Sequence, residues 1–136
     1  PITSLAVSYN LFVRNDQGRS NSFNFSYSVD DAVYTQISTL DYTSIIAADG
    51  LGWVLVGGAA PSRSTTITGL NIAPGASIYI RWSSADVGGA GSRDEFGLDD
   101  IALTASYTSL PTNIASNPGI NWVGSNQTPT TYAQPI

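Results

Sequence analysis

The sequence predicts an all-β sandwich, and three observations carry that prediction. Apolar residues alternate with Ser, Thr and Asn in short runs, the period of half-buried strands. Gly-, Pro-, Asn- and Asp-rich breakers separate the runs at the spacing of short strands. Segments with a helical period are nearly absent. At 136 residues the chain is long enough for one domain with a real core.

The first strand is read at Ser4–Val13, SLAVSYNLFV, with Leu5, Val7, Tyr9 and Leu11 on one face. A turn follows, with Asp16 and Gly18 as breakers. SFNFSYSV has the cleanest alternation, with Phe23, Phe25, Tyr27 and Val29 opposite Ser and Asn. Asp30 and Asp31 close it as a turn. VYTQISTLDY, residues 33–42, reads as a third strand, and Ser44 to Gly52 as either a helical turn or a loop. Short strands are expected at Trp53–Val56 and Ser64–Leu70, the latter ending before the turn Ala73-Pro74-Gly75. SIYIRWS sets Ile78 and Ile80 on one face and Tyr79 and Arg81 on the other, and GLDDIALTASY, Gly97–Tyr107, is the last core strand.

The composition excludes much chemistry. There is no His, Cys, Met or Lys, and the positive charge rests on Arg14, Arg19, Arg63, Arg81 and Arg93. Without His there is no imidazole base, without Cys no thiol nucleophile or disulfide, and without Lys no Schiff base. A net charge of −5 with no basic patch argues against a nucleic-acid partner. No apolar run reaches membrane-spanning length. The chain opens on Pro1 with no starting Met and no signal peptide, and it reads as processed or as part of a longer product. Carboxylates, hydroxyls, amides and arginine remain, a set suited to calcium, sugars and protein surfaces.

The densest acidic stretch follows the run GGAGS, where Asp94, Glu95, Asp99 and Asp100 place four acids between positions 94 and 100. Asp99 and Asp100 sit inside a strand-forming segment. In a regular strand, one would share a face with Leu98 and the other with Ile101 and Leu103. One carboxylate is therefore expected in the core, where it must be hydrogen-bonded, paired or bound to a metal. Gly88, Gly89 and Gly91 make no phosphate loop, since neither a helix nor a Lys follows. Arg81 and Arg93 are expected to pair with nearby carboxylates. Trp53, Trp82, Tyr9, Tyr34 and Tyr79 are read as core or cross-strand packing rather than a sugar-stacking platform.

The composition changes after Tyr107. The division is a sandwich domain over 1–107 and a tail or linker over 108–136. The tail has no charged side chain and is punctuated by Pro111, Pro118, Pro129 and Pro135. Within it INWVGS, Ile120–Ser125, can add one strand. Ile120 and Trp122 share a face there and are the expected interface residues, with Trp122 an anchor because Trp is enriched at interface hot spots.

The pieces LAVSYNLFVRND, FNFSYSVDDAVYTQI, TITGLNIAPGASIYIRW and GSRDEFGLDDIALTA, in that order, resemble a family of bacterial extracellular jelly-roll modules found in large secreted and surface proteins. The closing GLDDI is similar to the terminal strand of carbohydrate-binding and MAM-type jelly rolls. The resemblance implies a jelly-roll-type β-sandwich and export. Modules of this kind begin with additional strands before LAVSYN, where this chain starts, so with about seven strands before the tail the sandwich is expected to lack one. The resemblance also implies a structural calcium ion near Asp99 and Asp100, to which Asp94 and Glu95 would contribute. The competing reading is a carboxylate that caps backbone N–H groups. Paired-carboxylate glycoside hydrolysis is the least favoured. The functional expectation is a non-catalytic extracellular structural or adhesive module. It would be a filament subunit assembling with copies of itself or with neighbouring domains by strand addition of its tail. The alternative is a carbohydrate-binding module or an accessory domain of a secreted enzyme.

Overall fold

The computed structural model describes residues 1–108. Two antiparallel sheets form the two layers of a β-sandwich. The strands are β1 (Ile2–Arg14), β2 (Arg19–Ser28), β3 (Thr35–Gln36), β4 (Tyr42–Thr43), β5 (Trp53–Leu55), β6 (Arg63–Ile72), β7 (Tyr79–Gly89) and β8 (Glu95–Tyr107). A 3₁₀ turn, Ser38–Leu40, separates β3 from β4.

Each sheet is organised around one long central strand. β1 pairs along its whole length with β8 on one side, and with β6 and then β5 on the other. β2 pairs with β7 on one side and with β3 and β4 on the other. β1 contributes the predicted face: Leu5, Val7, Tyr9 and Leu11, extended by Val13, are all buried. Opposite them Phe25 is fully buried, with Phe23 and Tyr27 partly so. Tyr9 stacks on Phe25 at 6.3 Å and meets Trp82 edge-on at 5.5 Å. Burial pushes the Tyr9 hydroxyl pKa above its ordinary value. Trp82 therefore packs against the core as expected, but Trp53 lies half-exposed on the outer face, over Gly97.

The predicted third strand, 33–42, is broken. Its two ends pair with β2 as β3 and β4, but the middle folds into the 3₁₀ turn. Leu40 is driven fully into the core by this turn, and the Tyr9 hydroxyl donates to its carbonyl at 3.2 Å. Asp41 replaces the missing ladder partner: its Oδ1 accepts from the Phe25 N–H at 3.0 Å. A buried leucine offsets the loss of regular pairing, because the side chain takes up the hollow and a carboxylate keeps the freed N–H satisfied. Residues 44–52 form a loop.

The Asp30-Asp31 turn is present. Asp30 accepts hydrogen bonds from the N–H groups of Ala32 and Val33 and from the Ser28 hydroxyl. Asp31 adopts the left-handed backbone, with φ 57°, a conformation Asp tolerates better than most residues.

Candidate functional site

The four predicted acids lie in different environments. Asp94 is the buried carboxylate, at 6% exposure. Its Oδ1 accepts from the Gln17 N–H at 3.2 Å and its Oδ2 from the Ser44 hydroxyl. Glu95 is on the surface, paired with Arg14 at 3.2 Å. Asp99 and Asp100 are exposed on the outer face of the β1-centred sheet.

The expectation that Asp99 or Asp100 points into the core is corrected by the register. Asn10 pairs with Asp99, but Ser8 pairs with Ala102, so Asp100 and Ile101 together face the single residue Tyr9. This is a β-bulge, and Asp100 is its extra residue, with φ 51°. The Asp100 N–H bonds the Asp99 carboxylate at 2.8 Å, and Asn10 Nδ2 donates to Asp100 Oδ2 at 3.0 Å. The added residue resets the alternation: both aspartates stay outside, while Leu98, Ile101 and Leu103 all keep the inner face. Among the described residues no three acidic side chains approach closely enough to hold a metal ion.

Around Asp94 the chain builds a polar knot that sequence reading missed. Asn21 is fully buried, and every polar atom it carries is used. Its N–H donates to Ser44 Oγ at 3.0 Å and its C=O accepts from the Ser44 N–H at 2.9 Å. Its Oδ1 accepts from the Asp94 N–H at 3.0 Å, and its Nδ2 donates to Asp86 at 3.0 Å. Asp86 is paired in turn with Arg19 and, at 2.7 Å, with Arg93. Desolvation pushes the Asp86 carboxyl up, but the Arg93 hydrogen bond and the charges of Arg19 and Arg93 outweigh it and hold the pKa below its ordinary value. β7 and β8 belong to different sheets, so the segment between them must cross the end of the sandwich. The knot fastens that crossing to the β1–β2 turn and to Ser44. The signal lay in Asn21, a polar residue adjacent to the aromatic alternation of β2.

Arg93 thus pairs as expected, whereas Arg81 does not. Its guanidinium lies 3.5 Å from the centre of the Tyr34 ring, a cation–π contact. Tyr34 bonds the Asp31 carboxylate through its hydroxyl. A hollow of about 160 Å³ beside it is lined by Asn24, Ser26, Gln36, Arg81 and Ser83. This is a polar, aromatic-bearing surface of the kind a sugar-binding reading requires, with Arg81 covering one face of the Tyr34 ring.

The most distinctive surface is the flank between β7 and β8. On the opposite flank β6 packs over the 3₁₀ turn and closes the sandwich. Here β7 and β8, each longer than ten residues, pair among the described residues only with β2 and β1 respectively and not with each other. Within the described residues each therefore has one free edge. Directly opposed residues share a face, so Leu103, which faces Val7, belongs to the interior side. Yet Val7 is 1% exposed, while Ile101 and Leu103 are 48% and 45% exposed. Tyr107, at the end of β8, is also exposed. Ile120 and Trp122, the predicted interface residues, lie outside the described residues.

Searches against protein-family models, curated proteins and solved structures find no match to this chain. Among the described residues no helix is long and apolar enough to cross a membrane.

Proposed function

We propose that the chain is a non-catalytic structural or adhesive module, a jelly-roll-type domain of an extracellular bacterial protein whose copies assemble by β-strand addition. The observation that supports this reading is the open flank. On this flank two long strands end the sheets with backbone left unpaired among the described residues, and inner-face apolar residues of β8 stand half in water. Natural sandwiches cover or blunt such edges, and strand addition supplies both the missing hydrogen bonds and the missing side chains. The uncharged tail, with its single strand-like segment, is the matching donor in the sequence. A tail that enters the next copy makes a head-to-tail contact, and such contacts generate open filaments.

The absence of His, Cys and Lys, and a buried carboxylate whose lone pairs are engaged by Gln17 and Ser44, support a role without catalysis. Negative-stain microscopy and sedimentation of the purified chain test the reading. Filaments are expected for the full chain, and a deletion after Tyr107 or the variant Trp122→Ala should abolish them while a β-type circular-dichroism spectrum persists. A full chain that stays monomeric at high concentration would refute assembly.

A further inference from the structure

We infer that the acceptor for strand addition is the free edge of β8 over Ile101–Tyr107, and that its occupant is the segment Ile120–Ser125 of a second copy. The inference rests on the strand-addition reading above and names the two surfaces that meet.

β8 is the better acceptor of the two free edges on this flank. From Ile101 to Tyr107 it reads IALTASY, without charge, Pro or Gly. No bulge interrupts its pairing with β1 between Ala102 and Ser106. β7 is blunted by comparison. It carries Arg81 and Asp86, its pairing with β2 shifts around Val87, and it ends in Gly88-Gly89. Its inner residues Ile80 and Trp82 already pack on the core. A long, uncharged, regular edge is a ready template for pairing, and of β7 and β8 only β8 offers one. Its inner face also has the larger unmet demand: Ile101 and Leu103 keep nearly half their surface in water, beside a strand whose own inner residues are sealed.

The donor follows from what lies beyond the described chain. Residues 109–136 are uncharged, and Ile120–Ser125 is a proline-free apolar run between Pro118 and Pro129. Ile120 and Trp122 alternate with Asn121 and Val123, so the first pair would cover Ile101 and Leu103 while the second joins the outer face beside Ala102 and Thr104. Eleven residues, 109–119, separate Thr108 from Ile120, with Pro111 and Pro118 among them. A hairpin back onto the same β8 would normally use a loop of about two to five residues. Fully extended, the connection reaches roughly 36–40 Å, enough to leave its own domain and enter the neighbour.

The chain has no cysteine, which permits a direct test. Single variants Thr104→Cys and Val123→Cys retain Ile101, Leu103, Ile120 and Trp122. Mixed and oxidised, they are expected to give a reducible disulfide-linked heterodimer. Thr66→Cys, on the far side of β1 in the same sheet, should give none with Val123→Cys. In parallel, Leu103→Lys in the full chain should lower the sedimentable fraction by roughly tenfold or more, because an unpaired charge would be buried beneath the added strand. Its circular-dichroism spectrum should be unchanged, as Leu103 is half-exposed in the single domain. Filaments that persist in Leu103→Lys, or that form without the 104–123 cross-link, would place the acceptor elsewhere and overturn the inference while strand addition stands. A disulfide that closes only within one chain of the double variant would overturn the second copy as occupant. A wild-type chain that never polymerises would remove the broader reading and this one with it.

Discussion

Along one flank of the sandwich β6 lies over the 3₁₀ turn, and Leu40, Ile67 and Leu70 are sealed from water; along the other, β7 and β8 stand apart, and Ile101 and Leu103 are half-exposed. Both flanks are made from strands whose apolar residues alternate with polar ones. The difference is the facing layer. Alternation designates which side of a strand is inward, but a side chain is buried only where another element packs opposite it. The closed flank gains that layer from a break in regular pairing, the turn that inserts Leu40. The open flank continues in regular strands and has no such insert among the described residues.

That contrast predicts unequal costs for the same substitution. Leu40→Ala removes a fully buried side chain from the closed flank and should destabilise the domain by about 2–5 kcal/mol. Leu103→Ala on the open flank should cost about 0.5 kcal/mol or less in the monomer, the range of surface substitutions. Urea unfolding of both variants measures the difference, and equal losses would show that the open flank is closed in solution.

A second pair of regions sharpens the point, because Asp94 and Asp100 are six positions apart and were expected to act together. Asp94→Ala orphans the buried Ser44 hydroxyl and the partly buried Gln17 N–H, so it should cost about 1–3 kcal/mol. Asp100→Gly sits at a left-handed position that Gly adopts freely, which offsets part of the loss of the acceptor for the Asn10 amide, so it should cost less than Asp94→Ala, about 1 kcal/mol or less. Thermal melts that rank them the other way would contradict the bulge.

The smallest expected effect concerns Asp30, at the open end of β2. The N–H groups of Val33 and Ala32 and the Ser28 hydroxyl hold its carboxyl at about 2 rather than 3.8. Because the folded pKa lies below the unfolded one, the turn's contribution is complete above about pH 4 and is lost as the pH falls through about 2. An NMR titration should show the Ala32 and Val33 amides moving with the Asp30 carboxyl in that window. An Asp30 midpoint near 4 would mean that the turn does not hold the charge.

The sequence by itself determined the all-β class, the inner faces of β1 and β2, the Asp30-Asp31 turn and the position of the last strand. Period-two alternation over residues such as Leu5, Val7, Tyr9 and Leu11 is a local property, and backbone geometry turns it directly into a face. The candidate acids were legible as a cluster but not as a site. Counting alternation through Asp99 and Asp100 sends one of them inward; the bulge at Asp100 exists because β8 must match the fixed register of β1 on both sides of Tyr9, a demand from a partner some ninety positions away. The same holds for Asp94, whose burial depends on Asn21, Ser44 and Gln17 arriving from three other segments. Tertiary structure alone decided which carboxylate is interior, that VYTQISTLDY breaks to insert Leu40, and which flank remains open. Each of these depends on what packs opposite a residue, and that is set by long-range pairing rather than by its neighbours in the chain.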